Sequence, residues 1–179
     1  MKKTKKLVWT ALFATLTFVA TYAIRVPVPA TQGYVHPGDA LVILSGIFLG
    51  PWFGAAAAGL GSAMSDLLGG YAYYAPITLL IKALVAFTGG YVFTFIRRHK
   101  FPLPAGIAAA GICDIVFVVG GYFIAERFMY GLPAALLSAP MNLVQAAFGL
   151  VVSVLLFPSL AAIPDFRRSI HLPVTPQKP

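Results

Sequence analysis

The stretch GDALVILSGIFLGPWFGAAAAGLGSAMSDLL, residues 38–68, decides how this chain is folded. Apart from Asp39 and Asp66 it carries no charge, and it is too long for one bilayer crossing, which takes about 20 residues. Gly50-Pro51 divides it, because proline suits the first turn of a helix and breaks its interior. The spacing therefore predicts a short helix over 38–49, a tight turn, and a second helix over 52–68. The short helix reaches only about 18 Å. It has to stand nearly upright, thin the bilayer locally, or hide among its neighbours. The second, with Gly54, Ala55, Ala58, Gly59, Ser62 and Ala63, is small on most sides and is expected at the centre of a bundle.

On either side of this stretch lie further apolar runs at 7–24, 76–96, 103–125 and 133–156. With the divided stretch they make six helices. Only 10% of the 179 residues are charged and 59% are hydrophobic. That is too little charge to coat a soluble globule, for which about 25% is usual. The reading is an all-α membrane protein, a single six-helix transmembrane domain over 1–163 with a polar, Pro-rich and disordered tail over 164–179. A basic start before an apolar run also describes a signal peptide, but the run is long and Thr21-Tyr22-Ala23 is a poor cleavage site.

Orientation follows from lysine and arginine. Six spans place Lys2, Lys3, Lys5, Lys6, Arg97, Arg98, Lys100, Arg167, Arg168 and Lys178 on one side and Arg25 and Arg127 on the other. Ten against two puts both termini in the cytoplasm of a multi-pass cell-membrane protein. Arg25 to Pro37 and Glu126 to Gly131 then read as external loops, and the tyrosine-rich turn 69–76 suits the membrane interface. The net charge of +8 lies in clusters between apolar runs rather than along one face, which argues against nucleic acid.

Ionisable groups inside the bilayer are costly and are candidates for function. Asp39 reads as a first-turn carboxylate favoured by the helix dipole. Asp66 and Lys82 lie at similar depths on antiparallel neighbours, so they read as a salt bridge, with Lys82 also able to hold an electronegative group on a ligand. Asp114 falls near the midplane and must face protein, water or a ligand. Asn142 and Gln145, at i and i+3, share a helix face. Lys82, Asp114, Asn142 and Gln145 together supply the few convergent polar groups of a mostly apolar pocket. On the first helix Thr10, Ala14, Thr17 and Thr21 form a small stripe with Ala11 and Thr15 beside it, suited to packing within the bundle or to docking another protein.

No P-loop, HExxH, cysteine pair or Ser–His pair at one depth is visible, and no metal or cofactor is expected. The single cysteine, Cys113, reads as a packed thiol. A small intramembrane enzyme using Asp66 or Asp114 stays as the alternative.

Four segments carry a resemblance: Tyr34-Val35-His36-Pro37-Gly38-Asp39-Ala40; Gly61-Ser62-Ala63-Met64-Ser65-Asp66-Leu67-Leu68-Gly69-Gly70-Tyr71; Ala75-Pro76-Ile77-Thr78-Leu79-Leu80-Ile81-Lys82; and Asn142-Leu143-Val144-Gln145. Over about residues 5–160 the chain resembles the substrate-binding S components of energy-coupling factor (ECF) transporters, in the branch handling pyridoxine-, hydroxymethylpyrimidine- and riboflavin-like compounds. The resemblance implies six helices, both ends cytoplasmic, and a substrate site in the outer half at Tyr34, Tyr74, Lys82, Asn142 and Gln145. It implies partners: a vitamin-like molecule, a transmembrane coupling subunit and two ABC-type ATPases. It also implies docking through small residues on the first helix, for which Ala11-x-x-x-Thr15 and Thr10-x-x-x-Ala14 are the nearest matches to an Ala-x-x-x-Ala motif. Many members carry a glutamate where this chain has Ala86.

Overall fold

The computed structural model describes residues 3–170, so Lys2, Lys178 and the end of the expected tail lie outside the described residues. The helices are α1 (Lys3–Ala23), α2 (Asp39–Leu49), α3 (Pro51–Gly69), α4 (Ala75–Arg98), α5 (Leu103–Tyr130), α6 (Leu132–Ala161) and α7 (Pro164–Ser169). Between α1 and α2 lie two short strands, β1 (Val26–Val28) and β2 (Gly33–Val35). Four helices, α1, α4, α5 and α6, are long and apolar enough to cross a membrane. Large apolar side chains such as Val8, Leu60, Leu80, Ile112, Leu137 and Leu155 point outward, a surface that suits lipid rather than water as its solvent.

The divided stretch behaves as its proline predicts. Gly50, at φ 78°, makes the turn and Pro51 opens α3. A side chain at that φ would be strained. Of the three ways to accommodate so short a helix, α2 hides: every residue from Val42 to Leu49 is buried. The helices α1, α3, α4, α5 and α6 pack in succession around α2, which touches all five. The bundle centre is therefore α2 and not α3, whose Trp52, Leu60, Met64, Leu67 and Leu68 are exposed. Small residues admit the close approach: a Cβ on Gly46 would lie 2.3 Å from the Ala86 carbonyl, and one on Gly90 2.4 Å from the Gly46 carbonyl. Backbone-to-backbone contact of this kind binds α2 to α4.

Three boundaries differ from the sequence reading. The helix α5 continues to Tyr130 and α6 to Ala161, so the expected external loop 126–131 shrinks to a turn at Gly131. The loop 25–37, expected to be external, contains an antiparallel hairpin, pairing Val26 with Val35 and Val28 with Gly33. Strand-forming valines two apart supply it, and Val28 and Val35 bury their side chains beneath. The tail is not disordered from its start. In α7, Phe166 is fully buried against Trp9, Phe13 and Phe48, and Lys5 binds Asp165 at 2.8 Å. Polar composition concealed two apolar anchors, Phe166 and Ile170.

Candidate functional site

The hairpin closes tightly over a small polar cleft, a cavity of about 20 Å³ that is partly open to solvent, between α3, α4, α5 and α6. Its walls include Thr31, Gly33, Tyr34 and His36 from the hairpin region, Asp66 from α3, Tyr74 and Thr78 at the start of α4, Tyr122 and Glu126 from α5, and Ser138 and Asn142 from α6. Tyrosine hydroxyls pin the hairpin down. Tyr34 donates to Asp66 Oδ1 at 2.6 Å and Tyr73 donates to the Gln32 carbonyl at 3.1 Å. Tyr74 shares its proton between the Thr31 carbonyl, at 3.2 Å, and Glu126 Oε1, at 3.3 Å. The Tyr34 ring packs on Tyr71 with centroids 4.6 Å apart, and the Arg25 guanidinium covers Tyr22 and Tyr34 from outside. Burial, reinforced by the Asp66 carboxylate, raises the Tyr34 hydroxyl above its ordinary pKa, so it acts as a donor throughout the physiological range.

Of the residues the sequence singled out, Tyr34, Tyr74 and Asn142 line the cleft. Asn142 donates from Nδ2 to Ser138 Oγ at 3.2 Å. Lys82, Gln145 and Asp114 do not line it. Lys82 is fully buried and its ammonium binds Asp39 Oδ1, while Gln145 Nε2 donates to Asp39 Oδ2 at 2.7 Å. The expected Asp66–Lys82 pair does not form. Asp39 stands on the central helix that α4 packs against, and Asp66 turns to the hairpin, where Tyr34 satisfies it. Asp39 stands in the first turn of α2, as expected, and is also the hub of a buried ion pair, with the Tyr122 ring 5.6 Å from the ammonium. A buried pair is stable only when its remaining polar valences are met, and Gln145 meets one. Its Oε1 also accepts the His36 backbone N–H at 2.9 Å, so one side chain ties the hairpin to the ion pair.

Asp114 is fully buried within electrostatic reach of Asp39 and Lys82, and neither of its oxygens has a hydrogen-bond partner. Asp66 and Asp114 do not meet at one accessible place, as a two-carboxylate enzyme would require.

Sequence reasoning missed His36, Thr31, Tyr122 and Glu126. His36 accepts the Gly38 N–H on Nδ1 at 3.1 Å, which leaves its ring proton on Nε2. Burial lowers its pKa to about 4, with the Lys82 and Arg25 charges acting in the same direction against Asp39, so the ring is neutral at pH 7. His36 lay within the quoted Tyr34–Ala40 run, the one signal that marked it. Glu126 falls in the expected loop 126–131, yet it belongs to α5, is only 3% exposed and faces the cleft.

A family model for the S component of ECF-type riboflavin transporters matches residues 1–162. The chain belongs to that family. The thiamine precursor transporter HmpT of Lactococcus lactis subsp. cremoris is 28% identical over 158 residues, 88% of each chain. An uncharacterized protein of Pyrococcus woesei is 31% identical over 134 residues, 75% of this chain and 86% of that one. Among solved structures, the S component of a bacterial ECF transporter aligns with TM-score 0.64 and 18% identity, over 90% of this chain and 98% of that one; that likeness shows the fold. As an S component the chain is a membrane protein of vitamin transport, and its family works with the other ECF components.

Proposed function

We propose that this S component captures a small heteroaromatic vitamin or precursor, hydroxymethylpyrimidine- or pyridoxine-like, in the hairpin-capped cleft, and releases it inward when coupled to a transmembrane subunit and two ATPases. The observation that carries this reading is the cleft itself: tyrosine rings with buried polar groups behind them, under a lid held by a handful of hydrogen bonds. Stacked rings add about 0.5–1.5 kcal/mol beyond burial, and lid opening breaks only a few contacts worth about 1 kcal/mol each. The similarity to a thiamine precursor transporter supports the pyrimidine branch.

In this reading α1 to α6 are six spans with both ends cytoplasmic, an arrangement that the lysine and arginine distribution supports. Docking uses the outer face of α1. Thr17 and Thr21 of the small stripe are buried inward, Thr10 and Ala14 lie at the edge, and Ala11 and Thr15 are exposed. Beside them runs an apolar groove lined by Ala14, Thr15, Phe18, Leu60, Gly61, Met64 and Leu68.

The test is uptake in cells that co-express coupling subunits. Radiolabelled precursor should accumulate only with those subunits present. Ala11→Leu with Thr15→Leu should abolish accumulation while purified protein still binds ligand. Normal transport by that variant would move the docking face elsewhere, and no accumulation of any vitamin precursor would remove the carrier reading.

A further inference from the structure

We infer that α7 is a clasp that fixes the amino-terminal half of α1 to the bundle and so holds the docking face of α1 in shape, with no part in ligand capture. The consequence for docking rests on the proposed carrier function; the hold on α1 does not.

The ring of helices around α2 is open at one place. The helix α1 packs on α3 and α6 packs on α5, but α1 and α6 share no packed face among the described residues. Of the four long helices α1 is also the least buried. Its buried residues are Phe13, Thr17 and Thr21, and none of residues 3–12 is buried. At Ala14 the helix is fastened by close backbone approach, since a Cβ on Gly61 of α3 would lie 2.4 Å from the Ala14 carbonyl. Before Ala14 side chains do the fastening. Lys6 lies over the Phe53 ring of α3 at 4.6 Å, and Lys5 and Trp9 reach to α7. Lys5 Nζ binds Asp165 Oδ1 at 2.8 Å, Trp9 Nε1 donates to Asp165 Oδ2 at 3.3 Å, and the Trp9 ring meets Phe166 with centroids 4.4 Å apart.

The sequence builds α7 for this place. Extended backbone at Ile163 turns the chain after α6, and Pro164 opens the new helix. Phe166 and Ile170, four apart, fall on one face and are both buried. Besides Trp9, the Phe166 ring meets Phe13 of α1 at 5.7 Å and Phe48 of α2 at 4.9 Å, and Phe48 stacks on Phe157 of α6 at 5.1 Å. One ring thus fills the gap where α1, α2 and α6 meet. The Lys5–Asp165 pair is 60% exposed on the lysine side, and exposed pairs hold little, so Phe166 is the main tie. A helix of six residues does not stay formed by itself. Loss of the ring therefore releases α7, and both Asp165 bonds with it.

The clasp lies next to the proposed docking groove and apart from the cleft. The groove takes Ala14, Thr15 and Phe18 from α1, beginning one residue beyond Phe13. An α1 freed before Ala14 can swing about its contact with Gly61 and reshape that groove. No residue that lines the cleft belongs to the cluster around Phe166.

The experiment is pulsed electron spin resonance on the full chain in lipid nanodiscs, in a Cys113→Ser background. One pair of spin labels sits at Leu7→Cys and Phe101→Cys, and a control pair at Leu80→Cys and Leu137→Cys, all at exposed positions. Phe166→Ala, and Trp9→Ala from the other side of the contact, should each broaden the 7–101 distance distribution and leave the 80–137 distribution as it is. Affinity for hydroxymethylpyrimidine should be unchanged, and uptake of that radiolabelled probe in cells with coupling subunits should be lost. If Phe166→Ala fails to fold, Trp9→Ala decides. An unchanged 7–101 distribution, equal broadening of the control pair, weakened affinity, or full uptake despite a loosened α1 overturns the inference. A wild type that neither binds nor accumulates the probe counts against the carrier reading instead, and the distances still decide whether α7 holds α1.

Discussion

At the scale of single residues, the bundle stakes most on Asp39 and Lys82. Both are fully buried, and a lone buried charge costs roughly 3–5 kcal/mol when its partner is removed, while replacing both is often neutral. Lys82→Met alone should lower the thermal midpoint sharply, and Lys82→Met with Asp39→Asn should restore most of it. Because Lys82 does not line the cleft, the double variant should also keep ligand binding. A stable double variant without binding would return Lys82 to the site. The residues themselves were legible: a lysine and aspartates inside apolar runs announce buried partners. Which aspartate pairs with Lys82 was not, because similar depth favoured Asp66 while the enclosure of α2, a tertiary fact, favoured Asp39.

At the scale of elements, the hairpin is the part that sequence did not reveal. Strands of three residues carry too little periodicity to separate from a loop, and Pro27, Pro29 and Pro37 argued for irregular chain. The helices were legible because Gly50-Pro51, Pro76 and Pro133 mark their starts, whereas the ends of α5 and α6 ran past the apolar runs into residues whose burial only packing decides. The hairpin should carry a pH signature through His36. Its folded pKa of about 4 lies below the ordinary 6.5. Between those values the unfolded chain binds the proton and the folded chain does not, so stability is full above pH 6.5 and falls as pH drops toward 4. The loss by pH 5 is about 2 kcal/mol. Thermal midpoints measured from pH 7.5 to 5 should decline, and His36→Gln, which keeps an acceptor for Gly38, should flatten that decline. An unchanged slope in the variant would place the titrating group elsewhere.

At the scale of the whole molecule, hydropathy and charge made the membrane bundle legible, and the four quoted segments pointed to the family that residues 1–162 match. The cleft was half legible: Tyr34, Tyr74 and Asn142 face it, but Glu126 and Thr31 reach it only through the length of α5 and the fold of the hairpin. The proposed topology predicts that, in a Cys113→Ser background, Lys3→Cys and Arg168→Cys resist an impermeant thiol reagent in intact cells, while Phe128→Cys, exposed at the far end of α5, reacts. Labelling at position 3 or 168 would exclude the six-span arrangement. The central claim is capture of one small heteroaromatic molecule in the hairpin-capped cleft, and native mass spectrometry of the purified protein after exposure to a mixture of vitamin precursors tests it most directly. The account predicts a single bound small molecule per chain on the wild type, with affinity reduced about tenfold to a hundredfold in folded Asn142→Ala, which strips a polar group from the cleft wall. A wild type that retains no molecule from the mixture, or an Asn142→Ala variant that retains it equally well, would contradict it.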